Sequence, residues 1–496
     1  MKYGFLFGAG AEIEYGLPLG GKFALDIFRQ DVTNAKQRFR EMRDAVDISS
    51  AYANKWLPSD YKTKSINSFG KSVFQNIIMS TVEHRRDQII EKVNGFDQVA
   101  SKLVYQMEEN DELNVDLAFE HITGRPIGDA YMMQVVSYND AFKRGNELFN
   151  SNYFSGLLLA YKEKASDDRA PLLRKILMSI MQLHLGALSE DLSRNITDNL
   201  FSKKDEDIDF FDDFGGLITL DYSSVGVSGL ELLLEPTKIA SNDDFDTILK
   251  LALQSIEDIY ASVLDYKSLI DANWHYLYSP SSDWSKFCKI SIFLLTVHEY
   301  IRNLGEKAEK DKPRGYYNVL KKTLDSGRYE ASAIATTNYN HLIDDILDMP
   351  ITHLNGSVET WYDPYLNKIL KSDDFEEHIC VPLIFTQSGT KPMTSIKMSE
   401  QYVDLYRKWK ESEAIVVVGF GFGNDDEHIN GILRTLVNDD NKKLFVVKPT
   451  EGSKTDNEFA QEIADKLKVN RNNIKVFLVD KTGHIDGKPW SERISE

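Results

Sequence analysis

A glycine-rich turn and an asparagine-bearing loop stand directly after short apolar runs of the sequence. Gly8 and Gly10 follow the first run, and Asn338 and Gly419 follow two later ones. A turn of this kind, at the end of a strand and before a helix, lets backbone N–H groups approach a pyrophosphate closely. Alone, it is equally consistent with a tight connection that binds nothing. A nicotinamide-dependent dehydrogenase fits poorly, because its glycine fingerprint needs a third glycine where Ile13 stands.

Six short apolar runs predict the strands that position these residues. Each run is rich in β-branched residues and is stopped by Gly, Pro, Asn or Asp. The runs are residues 3–10, 331–339, 381–387, 414–422, 443–449 and 474–480. Such near-continuous apolar strands belong to a parallel sheet covered on both faces, and helical patterns at 398–412 and 425–439 alternate with them. The sequence therefore predicts a doubly wound, mostly parallel, Rossmann-like α/β fold with ligand at the carboxyl ends of the strands.

The segment 31–330 has a different pattern, because apolar residues recur there three and four positions apart. The clearest predicted helices are residues 171–192, 245–266 and 284–304. Residues 215–224 are either a strand or an extended loop. We therefore expect residues 1–30 and 331–496 to form one discontinuous α/β domain. Residues 31–330 then form a large all-helical insertion, whose wide apolar faces favour a role in regulation or in assembly of a homo-oligomer.

Length, charge and cysteine content exclude several classes of protein. A chain of 496 residues suggests two or three domains. Asp and Glu number 77 against 58 Lys and Arg, and this net charge of −19 argues against direct binding of nucleic acid or anionic membranes. Two cysteines, Cys288 and Cys380, supply neither a disulfide framework nor a cysteine zinc site. The longest apolar run, 290–297, is too short to span a membrane, and no signal-peptide pattern is present, so we expect a cytoplasmic protein.

Five segments occur in the order seen in the sirtuin family, and they most resemble its divergent bacterial branch, the SIR2-like proteins of antiphage defence. The segments are GAGAE (8–12), GLP (16–18), TTNYN (336–340), HLNGSV (353–358) and VVGFGFGNDDEHIN (417–430). The resemblance covers roughly the first 30 and the last 165 residues. It implies an NAD-binding domain of the SIR2 type.

The resemblance also implies roles for the matched residues. In that family the GAG turn cradles the NAD pyrophosphate, the proline loop lies over the nicotinamide, and the asparagine after the next strand contacts the nicotinamide ribose. A later glycine-rich strand end packs near the adenosine. The positions that correspond to NAD-binding residues are Gly8, Ala9, Gly10, Glu12, Pro18, Thr337, Asn340, Gly419 and Gly421. Asn338 corresponds to the ribose-contacting asparagine.

The sequence departs from the family pattern at several of these positions. Glu12 stands where the family has serine, and Asn340 stands where it has aspartate. Asn355 aligns with the catalytic histidine, while His353 lies two residues earlier. Residues two apart on an extended segment point to the same side, so His353 either serves the site beside Asn355 or is a structural histidine. The four-cysteine zinc module of the family's deacetylases is also missing, which argues against deacylation.

Hydrolysis of NAD fits these departures better than deacylation does. NAD is predisposed to lose nicotinamide, because the leaving group is already cationic and cleavage passes through an oxocarbenium-like ribose. If water replaces acetyl-lysine as the acceptor, the strict need for the family histidine is relaxed. Asn338 then orients ribose hydroxyls or a water molecule. A carboxylate such as Glu12, or a neutral His353, acts as a base or stabilises the developing positive charge.

The sequence therefore predicts an NAD+ glycohydrolase with Asn338, His353 and Asn355 as its catalytic residues, NAD as substrate and no metal. The resemblance implies an effector that depletes NAD in antiphage defence once a phage protein or partner defence protein triggers it. We also expect a homo-oligomer. The first alternative is a protein that senses NAD or ADP-ribose without catalysis, and an NAD-dependent deacylase is a distant third.

Polar residues at two other predicted strand ends have simpler interpretations. Residues 424–426 resemble metal ligands, but aspartate before a helix is more often an N-cap. His428 follows on that helix as a surface or packing residue. Gln387, Ser388 and Lys391 lie in a loop near the expected crevice, where they either touch substrate or form the turn.

Overall fold

The computed structural model of the protein divides into two compact units. Unit 1 comprises residues 1–19, 30–69 and 267–496, and unit 2 comprises residues 20–29 and 70–266. The structure describes residues 1–18, 20–111, 113–129, 147–187, 208–209, 219–220, 230–235, 238–240, 243–264, 267–370, 377–384, 396–450, 454–480 and 483–495. All the residues predicted to bind or cleave NAD belong to unit 1.

The described strands and helices are named here in chain order. The strands are β1 (Lys2–Phe7), β2 (Ile208–Asp209), β3 (Thr219–Leu220), β4 (Glu330–Thr336), β5 (Ile351–His353), β6 (Gly356–Asp363), β7 (Lys368–Leu370), β8 (Val381–Ile384), β9 (Ala414–Val418), β10 (Lys443–Pro449), β11 (Ile474–Val479), β12 (His484–Ile485) and β13 (Lys488–Pro489).

The α-helices are α1 (Gly20–Phe28), α2 (Thr33–Ala45), α3 (Ala51–Lys55), α4 (Lys71–His84), α5 (Arg86–Asn94), α6 (Phe96–Asp111), α7 (Val115–Thr123), α8 (Asn152–Glu163), α9 (Ala170–Ala187), α10 (Leu230–Leu234), α11 (Asp244–Val263), α12 (Lys267–Asn273), α13 (Trp284–Lys307), α14 (Tyr316–Asp325), α15 (Leu342–Leu347), α16 (Ile396–Lys410), α17 (Glu427–Asn438), α18 (Asp456–Leu467) and α19 (Trp490–Arg493). Short 3-10 helices span Ala9–Tyr15, Glu147–Asn150, Trp274–Tyr278, Asn424–Asp426 and Arg471–Asn473.

A six-stranded, all-parallel sheet forms the centre of unit 1, as the α/β prediction requires. Its strands lie in the order β11-β10-β9-β1-β4-β5. Numbered by appearance within this sheet, the order is 6-5-4-1-2-3, so the chain builds outward from β1 in two opposite directions. Doubly wound, dinucleotide-binding sheets have this order.

The strand order reverses between β1 and β9. The residues at this point lie at the edge of the sheet where its parallel strands have their carboxyl ends. Phe7 pairs with Thr336 on one side and with Val418 on the other, while Thr336 pairs with His353. Because these strands are parallel, their carboxyl ends all lie at the same edge. Open α/β sheets bind their ligands in the crevice at such a reversal.

Side chains from β1 pack on both faces of the sheet, which explains why its sequence is apolar without interruption. Tyr3, Phe5 and Phe7 pack in a core with Tyr317 of α14. On the opposite face, a Cβ at Gly4 would collide with the indole of Trp409 in α16. Successive residues of β1 thus meet different helical layers, as the two-residue period of a strand dictates.

Five of the six predicted strands are members of the parallel sheet, as β1, β4, β9, β10 and β11. Residues 381–387 were predicted to form a strand of the parallel sheet, and the sheet assignment was wrong. That run contains β8, which pairs antiparallel with β6 in a separate three-stranded sheet of order β7-β6-β8. The remaining parallel strand is β5, which spans only three residues and was not predicted.

Unit 2 is built mainly from helices arranged around α11, which packs against α1, α6, α7 and α9. Arg169 binds Asp243 and Asp246, at the start of α11, at 2.9 and 2.7 Å, and Asp167 at 2.9 Å. The short strands β2 and β3 pair antiparallel. β3 falls within residues 215–224, and the rest of that segment lies outside the described residues.

The two units do not have the bounds expected for the α/β domain and its insertion. Residues 31–69 and 267–330, predicted to belong to the insertion, are part of unit 1, and α1 is part of unit 2. Cys288 and Cys380 are both buried and unpaired. Within the described ranges, every helix is too short or too polar to cross a membrane.

Candidate functional site

The glycine turn after β1 packs against the loop that follows β9. The N–H groups of Gly8 and Gly10 donate to the carbonyl oxygens of Val418 and Gly419, each at 2.9 Å. A Cβ on Gly8 would lie 2.6 Å from Gly419 O, and one on Gly10 would lie 2.9 Å from Gly419 Cα. Gly419 has a φ of 67°, and a Cβ there would collide with the backbone nitrogen of Ala11. Close packing between two loops therefore accounts for all three glycines.

Three other predicted NAD contacts lie near this turn and are at least partly accessible. Ala9 begins the 3-10 helix Ala9–Tyr15 and is exposed, while Pro18 is half-buried. Gly421 is exposed, and a Cβ there would have open space around it. The first α-helix after the turn, α1, belongs to unit 2, so the element that directly follows β1 in unit 1 is the 3-10 helix.

Glu12 carries a buried carboxylate within the same 3-10 helix, with only 3% of the residue exposed. Its Oε1 accepts a hydrogen bond from the Tyr317 hydroxyl at 2.9 Å, and its Oε2 accepts one from Asn340 Nδ2 at 2.7 Å. Burial raises the pKa of Glu12, while hydrogen bonds from Asn340, Tyr317 and Asn338 oppose that rise. Because both oxygens have protein donors, Glu12 links the glycine turn to the loop after β4.

Asn338 lies in that loop, directly beside the glycine turn, and is 7% exposed. Its Nδ2 lies 3.3 Å from Gly8 O and 3.3 Å from the Tyr317 hydroxyl. Its backbone N–H donates to Thr336 Oγ1 at 3.0 Å. These contacts hold the amide side chain at the edge of the sheet, between β1 and β4.

His353 and Asn355 both contact the main chain of this loop. Asn355 is buried and its Nδ2 donates to Thr337 O at 3.3 Å, while His353 Nδ1 lies 3.0 Å from Asn338 O. Thr337 N–H in turn donates to Phe7 O at 2.9 Å. The two side chains therefore lie beside consecutive carbonyl groups of the same loop, although β5 ends at His353 and Leu354 and Asn355 form a turn instead of the expected extended segment.

The imidazole of His353 has a partner at each ring nitrogen, because its Nε2 also lies 2.9 Å from Asp344 Oδ2. The same oxygen is 3.3 Å from His341 Nδ1. Burial favours a higher pKa for Asp344, but hydrogen bonds from His341 and His353 lower its pKa overall. Burial likewise favours a lower pKa for His341, but the contact with Asp344 raises its pKa overall.

The polar residues after Gly421 form a turn that leads into α17. Asn424–Asp426 is a short 3-10 helix, and Asp426 stands at the N-cap position of α17 without a side-chain capping bond. His428 packs against Tyr402, with ring centroids 5.8 Å apart. This histidine is therefore a packing residue, as the sequence suggested. Gln387, Ser388 and Lys391 lie outside the described residues.

Tyr317 and Asp344 contact the predicted residues but were missed by the sequence analysis. Tyr317, in α14, is fully buried, and its hydroxyl contacts both Glu12 and Asn338. No local motif marks it. Asp344 lies three residues after His341, and such histidine and carboxylate residues one helical turn apart are a signal that the sequence does contain.

Together these observations define an α/β protein whose central parallel sheet carries a polar cluster at the carboxyl ends of β1, β4 and β5, beside the point where its strand order reverses. No family model, curated protein or solved structure matches the chain. The geometry of the cluster is therefore the basis for any statement about function. It offers amide groups, a glycine turn and a histidine whose two nitrogens are both engaged.

Proposed function

We propose that this chain is an NAD+ hydrolase of the SIR2-like type, which produces nicotinamide and ADP-ribose. The observation that carries the proposal is the convergence of the glycine turn, Asn338 and Asn355 at the carboxyl ends of β1, β4 and β5, beside the reversal of the strand order. Dinucleotides bind at the carboxyl ends of the strands in doubly wound sheets. The sequence resemblance to SIR2-like proteins supports the same ligand.

The proposed reaction breaks the bond between C1′ of the ribose and the nicotinamide nitrogen. The bonding electron pair goes to the nitrogen, so nicotinamide leaves neutral without needing a general acid. Water attacks the cationic C1′ and releases its proton to solvent. The amide nitrogens of Asn338 and Asn355 donate within the protein, so their amide oxygens take the roles toward the substrate. Asn338 Oδ1 holds a ribose hydroxyl and Asn355 Oδ1 orients the attacking water, because fixed amide groups lower the cost of organising both reactants.

His353 and Glu12 have positioning roles in this proposal. Each functional atom of their side chains already has a protein partner: His353 contacts Asn338 O and Asp344, and Glu12 contacts Tyr317 and Asn340. A group held in this way must break a contact before it accepts a proton from water. Cleavage of a cationic leaving group does not require that step, so the two side chains keep the Asn338 loop in place.

Nicotinamide release and NAD+ affinity, measured on the same purified protein, test the proposal. We expect wild type to release nicotinamide and Asn338→Ala to do so about 10²- to 10³-fold more slowly, the usual loss when a hydrogen bond to the transition state is removed. Asn438→Ala is the matched control, because Asn438 is an exposed amide at the end of α17. Isothermal titration with NAD+ and ADP-ribose gives the affinity, and circular dichroism checks the fold.

The combined result separates the two leading functions. Folded Asn338→Ala with wild-type turnover would remove Asn338 from catalysis. A protein that binds NAD+ but releases no nicotinamide would instead favour a sensor of NAD or ADP-ribose. This result must hold at protein concentrations both below and above those at which the chain self-associates. One observation favours that second candidate: Asn355 cannot titrate, and both nitrogens of His353 are engaged. Absence of NAD+ binding would refute both functions.

We further propose that the helices of unit 2 belong to an insertion in a SIR2-like domain and that they regulate it. An unregulated NAD+ hydrolase would deplete the NAD+ of its own cell. Activity is therefore expected to depend on self-association or on a trigger such as a phage protein or partner defence protein. Sedimentation velocity alongside nicotinamide release tests this dependence. A fully active monomer at low concentration would contradict it.

A further inference from the structure

Three side chains converge on one point beside the loop that carries Asn338. The Oδ2 atom of Asp344 lies 2.9 Å from His353 Nε2 and 3.3 Å from His341 Nδ1. The two imidazole rings are 5.2 Å apart, and the three ligand atoms all lie within 4.8 Å of one another. His341 and Asp344 come from the start of α15, and His353 comes from the end of β5.

The hydrogen bonds of His353 leave a lone pair aimed at this point. Its Nδ1 lies 3.0 Å from Asn338 O, and because a carbonyl oxygen only accepts, Nδ1 must carry the proton. In a neutral ring Nε2 then has a lone pair facing Asp344 Oδ2, which also has only lone pairs. Two such atoms at 2.9 Å repel each other unless a cation lies between them, either a second ring proton or a metal ion. Histidine ligands of metals usually donate their other N–H to a carbonyl or carboxylate in this way.

His341 supplies the third ligand atom of the cluster. Its Nδ1 lies 3.3 Å from Asp344 Oδ2, while its Nε2 is buried and makes no hydrogen bond among the described residues. The atom that a metal ion would use is Nδ1, which lies within 4.8 Å of the ligand atoms of Asp344 and His353.

We propose that His341, Asp344 and His353 bind one divalent transition-metal ion, of which zinc is the best match. Two imidazole nitrogens and one carboxylate oxygen are a donor set that zinc accepts, with room for water in the remaining position. Metal–ligand bonds of about 2.0–2.1 Å put the ligand atoms of a tetrahedral site roughly 3.3 Å apart. The two distances from Asp344 Oδ2, 2.9 and 3.3 Å, are within a few tenths of an ångström of this value, and the two histidine nitrogens lie within 4.8 Å of each other. The ion would connect α15 to β5, and His353 would connect both to the carbonyl oxygen of Asn338.

Zinc stoichiometry and affinity, measured on tag-free full-length protein, test the site. The protein is equilibrated with zinc chloride, passed over a desalting column and analysed by plasma mass spectrometry, and the affinity is measured by competition with a chromogenic chelator. We expect one ion per chain for wild type. His341→Ala and Asp344→Ala should lower the affinity by more than about tenfold, since losing even an outer partner of a metal ligand costs about 10- to 100-fold. His378→Ala is the matched control, because His378 pairs with a single carboxylate, Asp363, at 2.7 Å.

Cobalt spectroscopy of the wild type keeps the proposal testable if a variant fails to fold. Cobalt(II) bound by two imidazoles and a carboxylate gives visible absorption bands, which zinc should then displace. Wild type without these bands and without zinc above the buffer level would overturn the proposal, leaving Asp344 as the counterion of a protonated histidine. Equal zinc affinity in wild type, His341→Ala and Asp344→Ala would overturn it as well. Neither readout depends on NAD+ cleavage, so the metal site and the proposed activity can fail separately.

Discussion

Replacing Tyr317 with phenylalanine isolates the buried contacts of the candidate site, because it removes one hydroxyl and keeps the ring. The hydroxyl donates to Glu12 Oε1 at 2.9 Å and lies 3.3 Å from Asn338 Nδ2. The ring stacks on Tyr15, with centroids 5.3 Å apart, and makes an edge contact with Phe7 at 5.1 Å. Tyr317→Phe retains both ring contacts, so its effects report the hydroxyl.

The expected loss of stability depends on whether Glu12 is ionised. A hydrogen bond to a charged group contributes about 1.5–3 kcal/mol and one to a neutral group about 0.5–1.5 kcal/mol. With the weaker contact to Asn338 included, the variant should lose about 2–4 kcal/mol when Glu12 is ionised and about 1–2 kcal/mol when it is protonated. Burial already raises the pKa of Glu12, and losing the Tyr317 hydrogen bond raises it further. The destabilisation should therefore grow as pH rises above 4.5, the ordinary glutamate value.

Tryptophan fluorescence during urea unfolding provides a selective assay. All six tryptophans of the chain lie within the ranges of unit 1, so their signal follows the unfolding of that unit. Tyr15→Phe is the control, because its hydroxyl donates to Asn318 Oδ1 at 2.9 Å and accepts from Tyr317 N–H at 3.0 Å without touching Glu12. We expect Tyr15→Phe to destabilise unit 1 by an amount that does not change with pH.

Two results would refute the reasoning about Tyr317. A free energy of unfolding within about 0.5 kcal/mol of wild type at every pH would show that the hydroxyl contributes nothing, since that is the range of a neutral surface change. A loss that is constant with pH would show that Glu12 does not titrate through this contact. If the proposed activity is present, Tyr317→Phe should also release nicotinamide more slowly than Tyr15→Phe. The reason is that Tyr317→Phe removes the contact between the Tyr317 hydroxyl and Asn338 Nδ2.

Two further predictions concern the same edge of the sheet. Gly419→Ala should destabilise unit 1 by more than about 2 kcal/mol, since its φ of 67° is strained for alanine and its Cβ would collide with Ala11. Gly421→Ala should stay within about 0.5 kcal/mol, because its Cβ meets open space, and equal urea midpoints for the two variants would contradict this. Because the pKa of Glu12 is raised in the folded protein, its contribution to the free energy of unfolding should be fully present below pH 4.5. That contribution should be lost as pH rises through the folded-state pKa. Glu12→Gln should remove this pH-dependent contribution from the free energy of unfolding measured in urea. An unchanged pH dependence in the variant would contradict the raised pKa of Glu12.

The central sheet was largely predictable because its strands carry a local signal. β1, β9 and β10 are apolar runs ended by Gly or Pro, which only a buried strand of this length explains well. β5 has no such signal, because its three residues Ile351, Thr352 and His353 include two polar ones. β8 has the composition of a parallel strand, but whether a strand pairs parallel or antiparallel depends on its neighbours in space. Its pairing with β6 was therefore not available from the sequence.

The candidate site was predictable where its residues follow strands directly. Asn338 and Gly419 could be expected at one edge because parallel strands end together, and the structure does bring them close to the glycine turn. The role of the glycines could not be decided, since close approach of a ligand and close approach of another loop both require the absence of a Cβ. Tyr317 could not be found at all, because α14 reaches the site only through packing against the sheet.

Two departures from the SIR2-like pattern are joined by one hydrogen bond. The family that the sequence resembles has serine at position 12 and aspartate at position 340, whereas this chain has Glu12 and Asn340, whose side chains meet at 2.7 Å. Asn340 Oδ1 also accepts from Leu342 N–H at 2.9 Å, which fixes the amide so that its Nδ2 faces Glu12. Aspartate at position 340 beside Glu12 would instead bury two carboxylates in contact, and one of them would have to stay protonated. Glu12 and Asn340 therefore form one complementary pair of a carboxylate and an amide, which links the glycine turn to the Asn338 loop.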